Sequence, residues 1–543
     1  MRSLAAGSDP VRGGRGPAGT DASLRRRGHG RVQGGRRWRT YLVCVLTAAA
    51  GASLFYGSLT PRFYPADEQS HTAYAVEIRR GVLPDIDTPL PADLEPPGSD
   101  GARIHVANHP PLFPVLQAAM ATTAGWAGVE DAELTAGRAL NVLCNLAAVV
   151  AVAALGRSMT DSRRLGVLSA ALFAALPALW SLASFGYSDG LGVLATVLVA
   201  WAGVRAWKRP GQGSWTLVST TMVLAGLSRG SAVGPALAVG ALVTAQAWAI
   251  VASGGSRWSG DGPNAGRLDT RRVRVARAGQ IALRIFGPTG LIAGWWYIRN
   301  TVRFGDPLAS TELLHRLRLD NRFARPRPGG LLGTLANLEI WRDLVTDLAG
   351  SVYAPNVGLP RPRLDTGVFW VMAGFAAAAV ASLIASAVKR RIHGGEPARL
   401  GLPVIGIVTA VVVVGVFRHI AAGGGAHPRY LLSVFALLIV VVVAGLDRLH
   451  RRGPVIAVTA MCAASLMLLA QSRRWMADES DVFGLAVYGP AGWRVLAVGL
   501  IVLGLAGSAA AFMSDRRSPS GEAAREKVPP DRASTRDTTD TAR

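Results

Sequence analysis

The chain has 543 residues, of which 50% are hydrophobic and 17% charged, and its mean hydropathy is +0.29. A water-soluble protein of this length carries more charge, so a set of soluble domains is excluded. The net charge of +23 comes with no zinc finger, aromatic platform or other nucleic-acid module, so it reads as topological charge at membrane-span ends and no nucleic acid is expected as partner.

The first 39 residues hold ten arginines, among them Arg25, Arg26, Arg27, Arg36 and Arg37, with many glycines and few apolar side chains. This predicts a disordered cytoplasmic tail over 1–39. Tyr41–Leu59 is the first apolar block. Small residues at Ala48–Ala52 and the Arg36-Arg37 pair also fit a cleaved signal, but the later blocks favour an uncleaved anchor. Those blocks are Ala139–Leu155, Gly166–Ala183, Gly190–Trp207, Val368–Val388, Gly401–Phe417, Tyr430–Leu446 and Trp493–Phe512. Each approaches the roughly 20 residues a helix needs to cross a bilayer. The fold class expected is all-α and polytopic, because spanning helices satisfy their own backbone hydrogen bonds.

Basic residues thread the rest. With Arg157, Arg163, Arg164, Lys208, Arg209, the arginines of 253–284, Lys389–Arg391, Arg448, Arg451, Arg452, Arg516 and Arg517 in the cytoplasm, roughly twelve spans fit and both termini are inside. Leu217–Leu227 and Ala232–Val251 read as a hairpin turning at Ser228-Arg229-Gly230. The transmembrane domain covers 40–513, with long external loops at about 60–137 and 303–366 and a disordered cytoplasmic tail over 514–543. In the first loop Pro84, Pro89, Pro91, Pro96 and Pro97 exclude a continuous helix. His109–Ala127 reads as an interfacial helix, with a true span as the alternative. Cys44, Cys144 and Cys462 lie in apolar spans without disulfide or metal spacing and read as small core residues.

Four groups of residues offer chemistry. Asp67-Glu68-Gln69-Ser70-His71 follows the first span, and charge so close to lipid is costly unless used. On a helix Asp67 and His71 share a face, with Glu68 about 100° away. A partly desolvated carboxylate suits a general base; a helix start with acidic residues in its first turn is the plainer account. Glu68-x-x-His71 is also half of a metal site with no second half evident, so no cofactor is required and a divalent metal stays open. His109-Pro110-Pro111 holds a second histidine, or simply marks a helix entry. Arg138, Arg229, Arg299 and Arg429 stand at external span ends, against the positive-inside trend. Guanidinium pairs well with phosphate, and a shared anion site is expected, with snorkelling to headgroups as the alternative. Tyr187-Ser188-Asp189 places a carboxylate at an outer boundary, to orient an arginine or a sugar hydroxyl, or to cap a helix. No Walker A sequence, Gly-x-Ser-x-Gly or His-Glu-x-x-His occurs.

Taken together, Pro65-Ala66-Asp67-Glu68-Gln69-Ser70-His71, His109-Pro110-Pro111-Leu112, Arg138, Tyr187-Ser188-Asp189, Tyr297-Ile298-Arg299-Asn300 with Gly305-Asp306-Pro307, and Arg429-Tyr430-Leu431 resemble the GT-C glycosyltransferases. More narrowly, they resemble bacterial relatives of the protein O-mannosyltransferases and lipid A aminoarabinose transferases. Arg229 stands where these often have lysine, and Ser433 where they often have proline after the Arg-Tyr-Leu-(Leu) run. The resemblance implies a GT-C-type bundle that takes a sugar from a polyprenyl-phosphate donor. The sugar passes, with inversion, to a hydroxyl on a protein, lipid or polysaccharide acceptor at the external face of the cell membrane. It implies Asp67 as general base with Glu68 second, Arg229, Arg299 and Arg429 on the donor phosphate, and His71, His109, Arg138, Asp189 and His427 as substrate-binding residues. The alternatives are a non-enzymatic transporter or flippase of polyprenyl-linked sugars and a family member that only scaffolds an envelope complex.

Overall fold

The computed structural model describes residues 20–63, 66–95, 102–252, 271–319, 326–351, 401–483 and 491–516, with parts of 364–385. Among these residues the structure is helical, and Pro89 and Arg103 form an isolated bridge. Parts of the Val368–Val388 block, the proline pair Pro96-Pro97 and the tails 1–19 and 517–543 lie outside the described residues.

In chain order the helices are α1 (Thr20–Leu59), α2 (Ala66–Arg79), α3 (Leu112–Trp126), α4 (Ala132–Thr160), α5 (Arg163–Ala174) and α6 (Pro177–Ala183). Next come α7 (Asp189–Lys208), α8 (Gln212–Ser228), α9 (Gly230–Ala252), α10 (Arg271–Ile292), α11 (Gly294–Phe304), α12 (Ser310–Leu319), α13 (Gly330–Ala336) and α14 (Leu338–Gly350). The last four are α15 (Leu402–Ala421), α16 (Leu432–Leu449), α17 (Gly453–Phe483) and α18 (Ala491–Arg516). Eight of the described helices are long and apolar enough to span, or nine if the bent pair α5–α6 counts as one. The protein is an all-α, multi-pass membrane protein, and the figure of twelve spans is not reached among the described residues.

Two details depart from the sequence reading. Helix α1 already begins at Thr20, inside the segment read as disordered, because extending an existing helix avoids the cost of nucleation. The block Gly166–Ala183 is not one straight helix but breaks by 66° between α5 and α6. Pro177 lacks an N–H and forces Leu176 out of the helical region, to φ −66° and ψ 127°.

Two further expectations match, the hairpin and the irregular first loop. The hairpin α8–α9 turns at Arg229, whose backbone is extended at φ −160° and ψ 144°. Among the described residues from Arg80 to Pro111 the helical elements are two 3-10 turns, Ala92–Leu94 and His105–Asn108. Helix α3 has 15 residues, short of the roughly 20 needed to span, and packs on α2 and α4.

Packing explains which ends matter. Helices α1 and α18 run antiparallel in close contact: a Cβ added to Gly51 would lie 2.7 Å from the Ala497 carbonyl oxygen, and one on Gly504 2.5 Å from that of Cys44. Small residues let the two backbones approach where lipid supplies no hydrophobic drive. The most enclosed spans are Asp189–Lys208 and Pro428–Leu449, each 72% buried over its apolar window. Asp189 starts the first of these spans and Arg429 lies in the 3-10 turn that opens the second, and these ends meet α2.

Candidate active site

Asp67 and Glu68 occupy the first turn of α2, where the positive end of the helix dipole favours them. Their side chains diverge, as a step of about 100° per residue requires. Glu68 turns inward and is fully buried. Its Oε1 and Oε2 accept from Arg138 Nε and Nη2, both at 2.9 Å, and Oε1 also accepts the Gly186 N–H at 2.8 Å. Arg138 donates further to the carbonyls of Thr60 at 3.2 Å and Pro61 at 2.8 Å. This bidentate pair ties α2 to the end of α1, to α4 and to the turn before α7. Glu68 and Arg138, expected as second base and substrate ligand, are each other's hydrogen-bond partners here.

Asp67 turns toward the opening, with a third of its side-chain surface accessible. Its Oδ2 accepts from Arg429 Nη2 at 2.5 Å and its Oδ1 faces His105 Nε2 at 3.2 Å. Burial alone would raise the Asp67 pKa, but Arg429 and His105 together hold it well below the usual carboxylate range. Arg429 lies on the 3-10 turn Pro428–Leu431, between the rings of Tyr187 at 4.9 Å and Tyr430 at 5.3 Å. Its Nε is 4.0 Å from Asp189 Oδ1, and Asp189 Oδ2 lies 2.6 Å from Arg229 Nη1. Arg229 also donates to Ser188 Oγ at 3.3 Å. Asp67, Arg429, Asp189 and Arg229 therefore form a row of alternating charge drawn from four separate parts of the chain.

The histidines line this row. His71 is buried, one turn beyond Asp67, with its ring 5.4 Å from Tyr187 and 6.2 Å from Phe113. Burial, then Arg229, push its pKa down to about 3. Burial and Arg429 push His427 down to about 4, and burial with Arg229 holds His109 well below the usual imidazole range. All three are neutral near pH 7 and offer hydrogen bonds rather than charge. His427 packs 5.6 Å from the Tyr430 ring, and the His109 carbonyl accepts the Tyr74 hydroxyl at 3.2 Å.

Arg299 is not brought into the row. Its Nη2 donates to the Pro84 carbonyl at 3.1 Å and its guanidinium lies 4.7 Å from the Trp296 ring. Gly305-Asp306-Pro307 is a turn: Gly305, at φ +69°, ends α11, and Asp306 accepts the N–H groups of Leu308, Ser310 and Thr311 at 2.8–3.0 Å. Sequence reading missed His105, whose one local signal is its place four residues before His109 in a proline-bounded loop. Among the described residues no group of three His, Cys, Asp or Glu side chains is placed to share a metal ion, and Glu68 is committed to Arg138.

Residues 108–258 match the family model described as dolichyl-phosphate-mannose-protein mannosyltransferase, a segment that includes His109, Arg138, Asp189 and Arg229. That family is of the GT-C class that the sequence motifs resemble. No curated protein matches the chain. Similar solved structures include ArnT from Cupriavidus metallidurans bound to undecaprenyl phosphate, with 15% identity and a TM-score of 0.46 over 91% of this chain and 81% of that one. ArnT from the same organism in the apo state gives 16% identity and a TM-score of 0.43 over 90% and 81%.

Proposed function

We propose that the protein is a membrane glycosyltransferase that moves a sugar from a polyprenyl-phosphate donor to an acceptor hydroxyl at the external face, with inversion. The observation that carries this reading is the contact of the Asp67 carboxylate with the Arg429 guanidinium at 2.5 Å. A proton acceptor and a non-titrating cation stand side by side where one sugar phosphate would bridge them. The matched family is named for enzymes that draw on such a lipid-linked sugar.

The acceptor oxygen attacks the anomeric carbon as its proton passes to Asp67. The bond from that carbon to the phosphate oxygen breaks, and its electron pair leaves on the phosphate. A phosphate is a weak base and needs no general acid. It needs preorganised positive charge, which Arg429 and Arg229 supply in a site shielded from water. Neutral His71, His109 and His427 donate to or accept from sugar hydroxyls, and Asp189 holds the two arginines apart. Glu68 and Arg138 form the scaffold beneath. Arg299 ties the loop at Pro84 rather than touching the phosphate.

The test uses membranes containing the protein, polyprenyl-phosphate mannose and polyprenyl-phosphate arabinose. Asp67→Asn keeps protein level and insertion and lowers transfer about 10²–10⁴-fold, the usual worth of a general base. Substantial transfer by that variant overturns the assignment of the base. Translocation without a new glycosidic bond would favour the transporter alternative.

A further inference from the structure

The two contacts of Asp67 differ in kind. Oδ2 belongs to Arg429, a cation that the donor phosphate would also claim. Oδ1 faces His105 Nε2, and an ionised carboxylate only accepts, so Nε2 carries the hydrogen.

His105 opens the 3-10 turn His105–Asn108, and that turn is anchored independently of Arg429. The Val106 N–H donates to Ser70 Oγ at 3.2 Å, and the Ile104 N–H to the Thr88 carbonyl at 2.8 Å. The Asn108 carbonyl accepts from Trp296 Nε1 and Asn300 Nδ2, each at 3.3 Å. The titratable groups around the imidazole are Asp67 on α2 and His109 on its own connection, with Arg429 beyond Asp67.

We propose that His105 is the positioning residue of the base: it holds Asp67 Oδ1 while Arg429 moves its contact from Oδ2 to the donor phosphate. The proposal rests on the glycosyltransferase reading above. A carboxylate held by Arg429 alone would lose its aim at the moment the cation turns to the phosphate. With Oδ1 retained, Oδ2 is released in a fixed direction and takes the proton of the acceptor hydroxyl. The new carbon–oxygen bond forms on the anomeric carbon as the bond to the phosphate oxygen breaks. The exchange also makes the base available only after the donor has bound.

The experiment compares wild type, Asp67→Asn, His105→Ala and His105→Gln as full-length protein in vesicles. The donors are polyprenyl-phosphate mannose and polyprenyl-phosphate arabinose, and native membranes supply the acceptor. For His105→Ala, kcat falls about 100-fold, the scale of loss when a reacting group is misplaced by an ångström. The donor KM stays within about twofold, because ground-state binding is untouched. Added imidazole restores part of kcat, and His105→Gln, which keeps an N–H on a side chain of similar reach, loses less. A wild-type kcat in His105→Ala overturns the proposal. So does a loss confined to donor KM, or one that neither imidazole nor glutamine recovers, which marks a merely structural residue. If His105→Ala does not fold, His105→Gln and its imidazole response decide. Transfer by Asp67→Asn, or no transfer by wild type, overturns the reading of the base itself, whatever the His105 variants do.

Discussion

Asp67 and Arg429 are 362 residues apart in sequence and meet at 2.5 Å. Arg429 sits at the start of one of the two most enclosed spans, and Asp67 on a short helix laid across those starts. With Asp189 and Arg229 added, the row is electrically neutral without substrate. On the proposed function, the donor phosphate would enter by exchange with a carboxylate rather than by filling an empty positive pocket.

The two guanidinium groups of the row should respond differently to lysine. Arg229 makes point contacts with Asp189 and Ser188, which an ammonium can reproduce. Arg429 also lies against the faces of Tyr187 and Tyr430, where a planar cation is favoured. We expect Arg229→Lys to stay within about tenfold of wild-type transfer and Arg429→Lys to lose about 10²-fold or more, as when an oxyanion donor is removed. Equal losses in kcat would contradict this.

The Glu68–Arg138 pair should matter to stability first. Removing one partner of a buried pair leaves the other uncompensated, at about 3–5 kcal/mol. Glu68→Ala and Arg138→Ala should each lower the midpoint of thermal unfolding in detergent, and by more than Asp67→Asn, whose side chain is a third exposed where that of Glu68 is fully buried. A combined Glu68→Leu, Arg138→Met protein should be more stable than either single alanine variant.

Acid should weaken the fold through His71. Its pKa falls from 6.5 in the unfolded chain to about 3 in the fold, so the unfolded state binds the extra proton. Stability is unaffected by this group above pH 6.5 and is lost progressively as pH falls from 6.5 toward about 3. His71→Gln should flatten that part of the stability–pH curve. Asp67 acts in the same direction but lower: its contribution is present above the ordinary carboxylate pKa and is lost as pH falls through its depressed value.

The α1–α18 contact admits no added bulk. Gly504→Leu places side-chain atoms where the Cys44 carbonyl already stands, and should cost about 1–3 kcal/mol as overpacking does. Resistance to proteolysis in detergent, compared with a substitution at Gly499 whose position is open, checks this.

Much of the architecture was readable from local sequence because spans and prolines act locally. Apolar length marked the helices, and Pro84, Pro89 and Pro91 marked the irregular loop. The hairpin turn at Arg229 was visible as a polar break. The site was legible as a set of residue types, and Asp67, His71, Asp189, Arg229 and Arg429 do converge. What sequence lacked was partner choice. Glu68 and Asp67 are neighbours with the same chemistry, and only the direction of each side chain gives one to Arg138 and the other to the opening. Arg299 was grouped with the other arginines by charge, yet a carbonyl and an indole face hold it elsewhere. His105 carried no motif, since its link to Asp67 is a contact 38 residues back along the chain.

Glu68 holds the Gly186 N–H, and the three residues that follow are Tyr187, Ser188 and Asp189. One carboxylate of the adjacent pair therefore works as a ruler, setting how far the opposite wall of the site stands from its neighbour. A survey of variants scored by product alone would rank Glu68 beside Asp67, although the proposed function gives Asp67 the reaction and leaves Glu68 as its gauge.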